Sequence, residues 1–199
     1  MSQSNPTLSE VIHLSIEDYM NGVHTSLPGI VDSYDYKTQK AKIVPAVKRI
    51  SIDGELVTMP VITNVPVIWP RSGKAMIHFP LVRGDSVLLV FCERSVDLWL
   101  KNGGTADPSD PRWFDLTDAV AIPGLFPFSE KSLATDNETV QFIFGDALIK
   151  MKDDGEITVN DTSIKVGSDG AIDIQDGTIK ISTGGEVNIN NGNLVISAS

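Results

Sequence analysis

From Phe142 onward, apolar residues recur in pairs split by a single residue: Phe142/Phe144, Ile149/Met151, Ile157/Val159, Ile164/Val166, Ile172/Ile174, Ile179/Ile181, Val187/Ile189 and Leu194/Ile196. The first members of successive pairs are separated by alternating steps of 7 and 8 residues. A fixed period of this kind marks a repeat architecture. Each pair reads as a short strand whose two apolar residues share a face, because side chains alternate across a strand. Thr158, Lys165, Asp173, Lys180 and Asn188 then point the other way. Gly, Asp, Asn and Ser fill the intervals, where tight turns need them.

The earlier chain shows other periods. In residues 7–24, "TLSEVIHLSIEDYMNGVH", Leu8, Val11, Ile12, Ile16, Tyr19, Met20 and Val23 fall on one face at helical spacing. Thr7 with Glu10 forms a capping box. This stripe is expected to pack on its own domain or on a neighbouring chain. From Pro28 to about Gly104 the signals are those of strands: "GIVDSYDY", "AKIVPAVKRI", "ELVTMPVI", "VPVIW", "AMIHFP" and "SVLLVFC", bounded by Gly, Pro, Asn and Asp. Asp53-Gly54 reads as a hairpin turn. Five or six strands in this span suggest a small, partly closed barrel of the OB-fold type. Trp69, Phe79, Phe91 and Trp99 lie among aliphatics and read as its core. Residues 105–139 form a connector, with a short helical turn at "DLTDAVA" stopped by Pro123-Gly124. The expected organisation is a helical segment over 1–27, a barrel over 28–104, a connector over 105–139 that closes the barrel, and the repeat over 140–199. The fold class is all-β with a short N-terminal helix.

One chain of the repeat is a strip with a single apolar face, and nothing else in the sequence is large enough to cover it. Three strips facing a common axis make a triangular prism whose interior admits Ile and Val but little larger, which fits the absence of aromatics after Phe144. The expected trimer core is Ile149, Met151, Ile157, Val159, Ile164, Val166, Ile172, Ile174, Ile179, Ile181, Val187, Ile189, Leu194 and Ile196. Eight layers at about 4.8 Å give a β-helical prism roughly 38 Å long. Intertwined chains and one meander per face fit the pattern equally. The rival is a monomeric solenoid, which needs capped ends, whereas this repeat runs to "LVISAS" without a cap. A calcium-binding roll would need a repeated GGxGxD, and "GSDGAIDIQDG" lacks it.

Charge narrows the function. A net charge of −10 argues against a nucleic-acid binder and against docking on an anionic membrane surface. Cys92 is the one cysteine, so no disulfide framework or CxxC motif exists, and it reads as a small buried hydrophobe. "MSQSNPTLSE" lacks a signal-peptide pattern, so assembly in the cytoplasm is expected. Arg83-Gly84-Asp85 reads as turn chemistry rather than an adhesive tripeptide. A glycan hydrolase needs paired carboxylates beside sugar-stacking aromatics, and the repeat has no aromatic after Phe144. No enzyme activity, cofactor or metal is expected.

The segments also carry a resemblance. "SLPGIVDSYDYKTQKAKIVPAVK", "VPVIWPRSGKAMIHFPLVRGDSVLLVFCERSVDLWLKNGG" and "RWFDLTDAVAIPGL", followed by the repeat, resemble in that order the central spike proteins of contractile-tailed bacteriophage baseplates, of the baseplate assembly protein V type. The resemblance covers most of residues 26–199. It implies a homotrimer, attached to the tail hub or baseplate, that pierces the host outer membrane on sheath contraction. It also implies a virion location at the tail tip. The alternative is a trimeric tail adhesin binding cell-surface glycan. Many such spikes carry a His-x-His that binds iron near the apex; His13, His24 and His78 form no such motif, so a different tip or a separate capping protein is expected.

Overall fold

The computed structural model describes residues 6–51, 54–108 and 110–160 in full, and the backbone of two further strands at 162–166 and 172–175. The chain divides into two units, Met1–Glu130 and Lys131–Ser199.

Helix α1 (Leu8–Asn21) begins where the capping box places it: Thr7 Oγ1 accepts from the Glu10 amide at 3.3 Å, and Glu10 Oε2 accepts from the Thr7 amide at 2.6 Å. No residue of α1 is buried, and Leu8, Ile12, Ile16, Tyr19 and Met20 are all more than half exposed. The apolar stripe is therefore not used within its own unit.

Strands β1 (Ser26–Asp35) and β2 (Lys40–Pro45) are followed by a hairpin of β3 (Arg49–Ile50) and β4 (Leu56–Val57). Gly54 turns that hairpin at φ +81°; Asp53 lies outside the described residues. Then come β5 (Ile62–Pro66), a second hairpin of β6 (Arg71–Ser72) and β7 (Ala75–Met76), β8 (Ser86–Phe91), the short helix α2 (Asp97–Asn102) and β9 (Ala119–Pro123). The main sheet has the order β5-β2-β1-β8-β9, antiparallel throughout. A bulge between Val31 and Ser33 bends β1. The sheet curls until its edges meet at a bridge between Val67 and Ala121, where the Ile68 amide donates to the Ala121 carbonyl at 2.8 Å.

Alternation along the strands fills the interior with Val31, Ala41, Ile43, Val65, Val87, Leu89, Phe91, Ala119 and Ala121. Trp69 is buried among them because its indole N–H has a partner, the Tyr34 hydroxyl at 3.1 Å. Gly29 marks the tightest approach: a Cβ there would lie 2.5 Å from Ile43 Cγ2 and 3.0 Å from Leu89 Cδ1. We expect Gly29→Ala to overpack this contact and cost about 1–3 kcal/mol of unit-one stability in urea denaturation.

The structure corrects three expectations. Phe79 and Trp99 are not core residues; both are about half exposed. Phe79 follows β7 and packs edge-on against Trp69 from outside, with ring centroids 5.8 Å apart. Trp99 lies on α2, in the β8–β9 connection, where none of the helix is buried. The helical turn expected over "DLTDAVA" is confined to Leu116–Asp118, and Ala119 begins a strand. The Arg83-Gly84-Asp85 turn, by contrast, is as expected: Gly84 has φ +99°, Asp85 Oδ2 accepts from the Val82 amide at 2.7 Å, and Arg83 pairs with Asp32 at 3.1 Å.

The second unit is an antiparallel meander of β10 (Val140–Phe144), β11 (Ala147–Met151), β12 (Glu156–Val159), β13 (Thr162–Val166) and β14 (Ile172–Gln175), in sequence order. Gly145 at φ +58° makes the two-residue turn into β11 possible. The Asn160 side chain, at the end of β12, accepts from the Leu148 amide at 2.8 Å.

Candidate functional site

The register of the meander gathers the sequence pairs onto one face. Phe142 pairs with Ile149 and Ile149 with Val159; Val140 pairs with Met151 and Met151 with Ile157. The backbone register carries the same columns onward, Ile157 opposite Ile164, Ile164 opposite Ile174, and Val166 opposite Ile172. Ile179, Ile181, Val187, Ile189, Leu194 and Ile196 lie outside the described residues.

That face is bare in the single chain. Val140, Phe142, Phe144, Ile149 and Val159 are exposed, Met151 and Ile157 half-buried, and none of residues 131–160 is buried. The opposite face, with Gln141, Ile143, Leu148, Lys150 and Thr158, is half-buried throughout. It is the face that the chain itself covers. Gln141 Oε1 accepts from the Thr135 amide at 3.0 Å, Gln141 Nε2 donates to Thr139 Oγ1 at 2.9 Å, and Lys150 Nζ pairs with Asp136 at 3.1 Å. Over the described residues the chain folds 135–139 over the polar face and leaves the apolar face exposed, the kind of patch that marks an interaction surface.

Asp136 organises the covering loop. Its Oδ1 accepts from Thr139 Oγ1 at 2.7 Å, the Thr139 amide at 2.9 Å and the Glu138 amide at 3.0 Å. The Thr139 hydroxyl chiefly, with Lys150 and the two amides, holds its carboxyl well below the usual carboxylate range. A depressed carboxylate stabilises the fold fully above its unfolded value of 3.8, and that contribution is lost as the pH falls further. Asp136→Asn should remove this acid-dependent part of the second unit's stability, read by circular dichroism across a pH series.

A second polar cluster pins the long β8–β9 connection. Asp118 is 1% exposed. Its Oδ1 accepts from the Val96 amide and from Arg112 Nη2, both at 3.3 Å, while Arg112 Nε lies 3.2 Å from Oδ2 without hydrogen-bond alignment. The same guanidinium reaches Asp97 at 2.9 Å, Asp110 at 3.1 Å and Ser95 Oγ at 2.9 Å. Burial pushes the Asp118 carboxyl up, against the pull of the Val96 amide and Arg112. Burial, and then the Asp118 charge, also push up the nearby Cys92 thiol, which is half-buried. Sequence reasoning missed this cluster, because its acids and base follow no motif spacing.

Residues 27–124 match the family model of the phage protein Gp138 N-terminal domain. The match supports a bacteriophage structural protein of the tail or baseplate. No curated protein shows significant sequence similarity to the chain. The Gp138-type segment is just under half of the chain, running from the start of β1 to the end of β9. It therefore takes in all five barrel strands and the Arg112–Asp118 cluster, and leaves α1 and the meander outside.

Proposed function

We propose that the protein is the trimeric spike at the tip of a contractile tail, joined to the baseplate hub and driven through the host outer membrane on sheath contraction. The observation that carries this reading is the bare apolar face of a meander whose polar face is already covered by its own chain. Three such sheets around an axis would bury those columns against one another, with the 14 expected core residues inside. Each meander would then form one face of the prism, without intertwining over β10–β14. The first unit fits the same assembly, since its strand order is that of a five-stranded OB-fold barrel and its family match is to a phage domain.

The role is mechanical: no enzyme activity or cofactor is invoked, and a separate capping protein at the apex remains compatible with it. A rod that penetrates a membrane must resist proteolysis and hide its sheet edges, and side-by-side sheets do both. Averaged electron micrographs of the purified protein should show a three-fold head and a narrow rod. Antibodies raised against residues 140–199 should label the distal end of tails. Labelling along the tail length would contradict the placement.

A further inference from the structure

We propose that the barrel carries a binding cleft for an acidic oligosaccharide. A cleft of about 770 Å³ opens between the start of β2, the end of β5, the β6–β7 hairpin and α2. Lys40, Arg71 and Lys101 line it together with Trp99, Asn64 and Gln39, whose Nε2 donates to Met76 Sδ at 3.3 Å. None of the three cations has an ion-pair partner among the described residues. The one carboxylate in the lining, Asp97, is engaged by Arg112 at 2.9 Å.

Three cations left unpaired in one concavity are unexpected in a chain of net charge −10. The imbalance lies elsewhere: residues 27–124 hold eleven Lys and Arg against eleven Asp and Glu, so the acidic excess falls wholly outside the barrel. The cleft's field therefore acts on a ligand from a neutral domain. Trp99 is 54% exposed although its helix is tied down through Asp97, Arg112 and Asp118. A rigidly mounted, uncovered indole is a stacking platform. Gln39 and Asn64 hold positive φ of 55° and 60°, an uncommon conformation for non-glycine residues that gathers at ligand sites.

The chemistry fits a sugar that bears carboxylate or phosphate groups. Its ring presents a C–H face to the indole, its hydroxyls meet the Asn64 carboxamide, and its anionic groups meet the ammonium and guanidinium groups. A run of acidic side chains would use the cations but offers Trp99 no ring to stack on. A single-stranded nucleic acid needs several stacking aromatics in a basic groove, and this cleft has one aromatic in a neutral domain. The position also suits an oligomer, because five-stranded barrels of this order bind oligonucleotides and oligosaccharides on the corresponding strands and loops; the indole and the neutral domain are what select the sugar.

The test is a calorimetric titration of the full chain at low salt with hexagalacturonate, maltohexaose, hexaglutamate and an oligothymidylate. Saturable binding of hexagalacturonate, with weaker or no binding of the other three, is expected. Arg71→Gln with Lys101→Gln should weaken it about tenfold or more, and Trp99→Ala about tenfold, as loss of charge-assisted contacts and of stacking implies. Both sites are exposed, so folding survives, which the thermal midpoint verifies. The control Lys48→Gln with Arg49→Gln removes the same charge outside the cleft and should leave the affinity unchanged. Absence of hexagalacturonate binding overturns the proposal, as does equal weakening by the control pair. Tighter binding of hexaglutamate or of the oligothymidylate overturns it in favour of an acidic protein segment or a nucleic acid.

Discussion

We expect the replacement of Ile149 and Ile157 together by lysine to abolish the proposed assembly and leave a folded monomer of 21.5 kDa. In the isolated chain Ile149 is exposed and Ile157 half-buried, so lysines there cost the monomer little. In the proposed prism each chain would carry two ammonium groups into a dry interior, six per trimer. Burying an unpaired charge costs several kcal/mol even after relaxation. The assembly penalty therefore outweighs any plausible gain from the remaining apolar contacts. Asp146→Lys, in the exposed turn between β10 and β11, adds the same side chain away from the apolar face and should leave the assembly intact. Light scattering on a sizing column reads both. If the double variant keeps the wild-type mass, this face is not the interface.

Asp118→Ala is the most damaging single change expected in the first unit. It leaves Arg112 without its buried partner and the Val96 amide without an acceptor. Removing one member of a buried ion pair costs about 3–5 kcal/mol. Arg112 is about one-third exposed, so water recovers part of its charge and the lower end, about 3 kcal/mol, is expected. Urea denaturation followed by the barrel's tryptophan fluorescence measures it. Asp118→Asn keeps an acceptor of the same shape and should cost less. The two substitutions share a second consequence. Because burial raises the Asp118 pKa in the fold, its protonated form contributes stability below the ordinary value of 3.8, and this is lost as the pH rises through the raised value. Both variants should lack that component. Loss of Arg112's anchorage also loosens α2, so Asp118→Ala should weaken hexagalacturonate binding without touching the cleft.

What the sequence disclosed depended on whether local chemistry decided the outcome. The Thr7–Glu10 box predicts the start of α1 because both its hydrogen bonds are made within one turn. The alternating steps of 7 and 8 residues predict the apolar columns of the meander because strand register follows from turn length. Gly84-Asp85 reads correctly as a turn for the same reason. The strand Ala119–Pro123 is harder to see. Its alanines carry no β preference, yet Ala119 and Ala121 are buried in the interior where the sheet's edges meet. Trp99 reads as core because it lies among aliphatics, whereas it stands exposed on α2, a helix tied through Asp97 to Arg112, fifteen positions on. The cleft drew Lys40, Arg71 and Lys101 from three separate elements, a convergence that no motif encodes.

The most direct measurement is the native mass of the full chain by light scattering, repeated on a gel in SDS without boiling. The prism requires a mass near three times 21.5 kDa that persists in cold SDS. A 21.5 kDa monomer would contradict it and leave the meander a single sheet with an uncovered apolar face. A mass of twice 21.5 kDa would contradict it too, since two copies cannot close a three-sided prism.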